Sequence, residues 1–253
     1  RYEALPWRRF FPGVSNSNRF PRWFRTALGA IFEKELIVMT RTARNFLWLA
    51  FMMFLMVIQT SFNAFSRAAA HRTGDVAAAA SGLVLPLQFA TMIYFISAFT
   101  LRFAFPAVST EKRTAWILAT APIDLGKVYL AKFIFYSALF VAAGSMVGVF
   151  ELVADAVGTG TGIWFLAFLT LAILTITALG MGLGAVFPNF ETDDPQLLST
   201  SLPGLAFIGL SLLYGGIGAW LFYWTLAGGG TFLSLAAYEL ICAAFAFLHL
   251  RQG

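Results

Sequence analysis

Apolar runs of about twenty residues recur along this chain, and they leave it few ways to fold. A run of that length wound as a helix crosses the roughly 30 Å hydrocarbon layer of a bilayer. Within that layer each backbone N–H and C=O must find a partner inside the protein, which a helix provides within its own segment. A large soluble core is excluded, because 59% of the residues are hydrophobic and only 11% charged, against roughly a quarter charged in a soluble domain. The expected fold is therefore all-α and polytopic, with no soluble domain of ordinary size left over.

Spans are expected at about Phe46–Phe65, Ala79–Leu101, Tyr129–Phe150, Ile163–Phe187, Leu202–Leu226 and Phe232–Leu250. Pro86 lies inside the second, where neighbouring helices tolerate a kink. Between the spans, Arg67–Val76 and Glu151–Gly162 read as loops, Asp194 with Pro195 as a helix N-cap, and Gly228–Gly230 as a tight turn. Ahead of them, residues 1–20, rich in Arg, Pro, Asn and Ser, read as a connector or a surface segment near headgroups. The chain begins at Arg1 rather than Met, so a preceding portion is expected. Residues 21–45 carry Phe24, Leu28, Ile31, Phe32 and Leu36 on one stripe, with Arg25, Glu33 and Lys34 off it. That is the pattern of an amphipathic interfacial helix, or of a helix packed on the spans.

Charge orients the chain. Nine Lys and Arg precede the first span, five lie between Arg102 and Lys132, and Arg251 adds one, so fifteen of seventeen share a face. Only Arg67 and Arg72 lie on the other. The positive-inside rule then places both termini, Arg102–Lys132 and the acidic loop Glu191–Asp194 in the cytoplasm of a cell with this protein in its inner or plasma membrane. In a membrane chain, excess positive charge reports orientation and anionic lipid rather than nucleic acid.

No catalytic residue is expected. The sequence has no GxxxxGK[ST] phosphate loop, and the GTGTG run at Gly158–Gly162 lacks the lysine. There is no HExxH, the histidines His71 and His249 fall at opposite membrane faces, and Cys242 is the single cysteine, so no metal site is expected. Glu239 is the one acid well inside an expected span. It is a structural or cavity-lining residue, bonded to a neighbouring Ser or Thr, or else a proton relay in a proton-coupled carrier. Gly144 with Gly148, and Gly180 with Gly184, put small residues on one helix face, for contacts within the bundle or for a dimer seam.

The polar interruption Arg102–Lys132 admits two readings. Ser109 or Thr110 can cap a helix whose first turn carries Glu111, with Lys112, Arg113, Trp116, Ile117 and Leu118 following before Pro122 stops it. Asp124 then caps the next helix, with Lys127 and Lys132 near the headgroups. Such a segment is either a helix transmitting force between two spans or an ordinary interfacial loop.

The KEL run at Lys34–Leu36, the segment FPAVSTEKRTAWILATAPI from Phe105 to Ile123, and GLGAVFPNFETDDP at Gly182–Pro195 resemble the permease of ABC exporters of the second structural type. More narrowly, they are similar to the C-terminal half of large permeases of that kind. The resemblance implies six spans per half-transporter, an elbow helix at residues 21–45 and a coupling helix at about 109–121 that docks on a separate ATPase. Ser109, Glu111, Lys112, Arg113, Trp116, Ile117, Leu118 and Pro122 would then be the docking residues, with ATP and Mg bound by the ATPase and no cofactor in this chain. A second six-span unit, upstream in the same chain or a second copy, would complete the path. Such permeases often carry outer re-entrant helices between spans five and six, for which Ala227–Thr231 leaves little room unless Trp220–Leu226 serves. A membrane-embedded scaffold subunit of a larger complex is the competing role.

Overall fold

The computed structural model describes residues 27–41, 43–73, 76–114, 125–154, 158–188, 197 and 199–252. Among them are seven α-helices and no strand: α1 (Ala27–Arg41), α2 (Ala43–Thr73), α3 (Val76–Phe99), α4 (Leu125–Ala154), α5 (Thr159–Val186), α6 (Leu202–Leu226) and α7 (Phe232–Gln252). Among the described residues, four stretches are long and apolar enough to cross a membrane: Leu83–Ala107, Leu125–Val153, Thr159–Val186 and Leu202–Leu226. The apolar stretches in α2 and α7, Phe46–Phe62 and Phe232–Leu248, are shorter. The chain is thus a membrane-embedded helical bundle.

α5 is the central helix, packed on α7 and α4 and against the segment that follows α3. Its sequence explains the position: small residues from Ala172 to Gly184 let neighbours approach, and its middle is buried almost throughout. Aromatic rings fill the space between helices. Phe89 of α3, Phe168 of α5 and Phe222 of α6 are buried side chains in mutual contact, with Phe89 and Phe168 centroids 4.7 Å apart. Outward, large apolar side chains such as Phe54, Leu213 and Ile241 remain exposed, as a chain solvated by lipid tails requires.

The glycine pairs serve contacts inside the bundle. A Cβ on Gly144 would lie 2.6 Å from Ile173 Cδ1, and one on Gly148 3.1 Å from Leu169 Cδ2, both on α5. Gly180 faces Thr100 and Phe207, and Gly184 lies directly on the Phe105 carbonyl.

Several boundaries differ from those read off the sequence. Residues 67–73, read as loop, continue α2; the run Arg67–Thr73 holds three alanines, the strongest helix formers. Glu151 is not in a loop but in the last turn of α4, 2% exposed, where Thr60 Oγ1 donates to it at 3.2 Å. Trp220–Leu226 is continuous α-helix, so it supplies no re-entrant element, and the turn after it uses Gly228 at φ 81°. α6 starts at Leu202 as expected, with Ser201 as its N-cap accepting from the Gly204 amide at 3.4 Å. The Asp194 cap lies outside the described residues, as do residues 1–20.

Candidate coupling site

After Phe99 the chain does not leave the helix for a loop. It tightens and loosens in place: a π turn at Thr100–Ala104, a 3-10 turn at Phe105–Ala107 and a second at Ser109–Thr114. Pro106 cannot supply an amide to an α ladder, and its fixed φ suits the first turn of the new winding. Phe103–Ala107 and Ser109 are buried, so this segment is packed rather than laid across the surface. Ser109 and Thr110 cap no α-helix here; the Thr110 hydroxyl donates to Ala107 O at 3.1 Å, and the Glu111 amide to Val108 O at 3.1 Å. Within the expected helix at 109–121, residues 109–114 form this 3-10 turn, and the rest, including Trp116, Ile117 and Leu118, falls outside the described residues, as does Pro122. The backbone of Lys112 and Arg113 is in the turn.

Glu111, expected on the partner-facing helix, instead points inward and is 8% exposed. Its carboxylate meets Lys34 of α1, with Nζ to Oε2 at 2.6 Å, and Lys132 of α4, with Nζ to Oε1 at 2.6 Å. Lys132, expected near the headgroups, is 3% exposed. Its ammonium donates to Glu35 Oε1 at 2.5 Å and to Ala107 O at 3.1 Å, so its three N–H groups have three acceptors. Glu35 Oε2 accepts in turn from the Tyr136 hydroxyl at 2.9 Å, one turn along α4 from Lys132.

Two lysines and two glutamates thus neutralise one another in a mostly buried cluster that joins three elements. The physical logic is strict: a buried charge costs several kcal/mol unless paired and hydrogen-bonded. Burial alone would raise the Glu111 pKa, but Lys132 and Lys34 outweigh it and bring it down to about 2. One turn before Pro106, the Arg102 guanidinium lies 5.3 Å from the Trp48 ring centroid, which adds α2 to the same junction.

α1 turns to the bundle the side on which Phe32 of the expected stripe lies, while Leu36 of that stripe is exposed. Glu35 and Met39 are buried and Phe32 packs edge-on to Phe135 at 5.4 Å, while Leu36, Ile37 and Val38 point outward. The apolar side of α1, centred on Phe32 and Met39, thus faces the bundle, and the half-exposed Lys34 lies away from it. Sequence reasoning missed Glu35, Lys132 and Tyr136 as site residues. A signal was present for Lys132, a base between Ala131 and Phe133 where a lone charge is costly, whereas Glu35 follows Glu33 and Lys34 in an ordinary charged run.

Glu239, the intramembrane acid, is fully buried in α7 and takes the Tyr214 hydroxyl of α6 on both carboxylate oxygens at 2.5 Å. Its partner is a tyrosine rather than a Ser or Thr. Tyr238 stacks on Tyr214 at 5.6 Å and donates to the Tyr214 carbonyl at 2.8 Å.

A helical bundle with several stretches long and apolar enough to cross a bilayer, and an irregular junction clamped by buried ion pairs, defines the class of membrane-embedded helical proteins. Over residues 7–235 the chain matches the family model described as "Putative ATP-binding cassette", and it belongs to that ATP-binding cassette family. No curated protein and no solved structure matches it.

Proposed function

We propose that this chain is the transmembrane half of an ATP-driven exporter, moved by a separate ATPase through the segment Ser109–Thr114. The family description names an ATP-binding cassette, yet the sequence has no phosphate-binding loop and consists of apolar helices. Membership of the family and the absence of the loop favour the membrane partner over the nucleotide-binding one. In this reading α2, with 31 residues, and α7, with 21, also cross the bilayer, since about 20 helical residues suffice. Six spans then put both termini on the cytoplasmic face with fifteen of the seventeen basic residues.

The observation that carries the proposal is the Lys132 cluster. Residues 109–114 are ion-paired to α1 and α4 at once, so a push on this turn moves the elbow helix and a span together. ATP binding would close two ATPase subunits, and residues 109–121, with Lys112, Arg113, Trp116, Ile117 and Leu118, would carry the movement inward. A second six-span unit would face this one across the substrate path.

The test is reconstitution in liposomes with the ATPase partner. The native chain is expected to form a complex and stimulate ATP turnover, and the Glu111→Gln chain to bind the ATPase while losing most of that stimulation. Absence of any complex, or stimulation unchanged in Glu111→Gln, defeats the proposal.

A further inference from the structure

Glu239 has a feature that pinning two helices together does not call for. Any acceptor, a glutamine included, would hold the Tyr214 hydroxyl, whereas a carboxylate inside a membrane costs several kcal/mol and is kept where charge has a use. Its two oxygens offer about four lone-pair sites and take a single O–H from Tyr214, leaving acceptor capacity open among the described residues.

What surrounds Glu239 tells what it would receive. Glu239 forms part of the wall of a cavity of about 110 Å³ whose other walls include Trp164 and Phe168 of α5, Phe222 of α6 and Phe232 of α7. Trp164 and Phe232 stack with centroids 5.3 Å apart, and Phe168 stacks on Phe222 at 5.9 Å, so the aromatic walls are held in place by one another. Ring faces are electronegative and attract cations, most strongly when dehydrated. A metal ion is a poor fit: hard cations need about six oxygen ligands, and the lining is almost wholly apolar. Tyr214, the partner of Glu239, lines with Tyr238 a larger cavity of about 320 Å³ whose walls include Leu179, Ile217 and Phe245. Space for an apolar body thus adjoins the polar pair.

We propose that the aromatic cavity closed by Glu239 binds an organic cation, a quaternary or tertiary ammonium carrying apolar substituents, with its charged head among Trp164, Phe168, Phe222 and Phe232. Trp164 and Phe232 lie in the first two turns of α5 and α7, at the end of the bundle away from the Lys132 cluster, so the site is separate from the coupling junction. The binding it describes requires no ATPase, and its failure would leave the export reading where it stands.

The experiment is equilibrium binding of benzyltrimethylammonium to the full chain in lipid nanodiscs, against its uncharged carbon isostere neopentylbenzene and against empty nanodiscs. Saturable binding of the cation is expected, with the neutral isostere showing only partition into lipid. Glu239→Gln, which keeps an acceptor for Tyr214, should weaken the cation on the order of tenfold or more, and Trp164→Leu several-fold. Should Glu239→Gln not fold, Trp164→Leu decides, since Trp164 lines the cavity from a different helix and takes no part in the Tyr214–Glu239 pair. Equal binding of the neutral isostere, no saturable binding, or full affinity in the folded variants overturns the proposal.

Discussion

The Lys132 ammonium lies 2.6 Å from the Glu111 carboxylate, so the first part of one apolar helix is ion-paired to the 3-10 turn that ends another. The pair is not isolated, since Glu35 and the Ala107 carbonyl complete the lysine's coordination. Lys132 is the member whose removal takes away the common partner of both glutamates. Its contribution to stability shows most clearly when one charge is taken away alone.

Lys132→Met, similar in length and apolar, leaves Glu35 and Glu111 buried without their common partner. Removing one side of a buried pair costs about 3–5 kcal/mol, because the uncompensated charge must be hydrated or protonated. The triple variant Glu35→Gln, Glu111→Gln, Lys132→Met removes the stranded charges too and is expected to recover most of that loss. Thermal unfolding in detergent micelles reads both. A single variant as stable as native, or a triple variant less stable than the single one, would show that the cluster is not coupled in this way.

The acid limit of the clamp follows from Glu111. Its pKa is lowered from 4.5 to about 2, so its pairing contributes fully above about pH 4.5 and is lost as pH falls towards 2. The stability gap between native and Glu111→Gln should therefore be level above about pH 5 and close between 4.5 and 2. Melting temperatures of the two chains across that range check it. A gap already closed at about pH 6 contradicts the pairing.

Much of this molecule was legible from apolar run length: the helices α3 to α7 lie within a few residues of the runs that announced them, because spanning requires both length and uniform apolarity. The charge census likewise picked out the two basic segments that the Lys132 cluster joins. Pairing across sequence separation was not legible. Glu35 and Lys132 are 97 positions apart, and nothing in either neighbourhood names the other. The winding of Thr100–Thr114 was hidden for a different reason: Ser109, Thr110 and Glu111 satisfy the rules of a helix N-cap, but Phe105 sits against Gly184, and tertiary packing overrode the local preference.

That contact sets up a comparison of glycines. At Gly184 an added Cβ meets the Phe105 carbonyl, which is backbone and cannot rotate away, whereas at Gly148 it meets the tips of Leu169 and Leu166 at 3.1 and 3.2 Å. Gly184→Ala should destabilise by about 1–3 kcal/mol through overpacking and disturb the 3-10 junction. Gly148→Ala should stay within about 1 kcal/mol of native, since leucine tips shift and alanine is the better helix former. Parallel melting curves decide, and equal losses at both positions would mean that Gly184 is not held against backbone.

Tyr214→Phe tests the α6–α7 tie. The two helices share few other close contacts, and the Tyr214 hydroxyl is the group through which Glu239 is held. Its removal leaves the buried carboxylate without that donor, at a cost of about 1–3 kcal/mol or more because the group is ionisable. Tyr238→Phe removes a bond to a helical carbonyl that keeps its own ladder partner, and should cost less, about 1 kcal/mol. In Glu239→Gln the amide oxygen still accepts from Tyr214, so adding Tyr214→Phe on that background should cost less than on the native one. Melting temperatures of the four chains close the cycle. Additive losses would show that the tyrosine acts through packing alone, and a smaller loss in the Gln background would show that its hydroxyl is there for the acid.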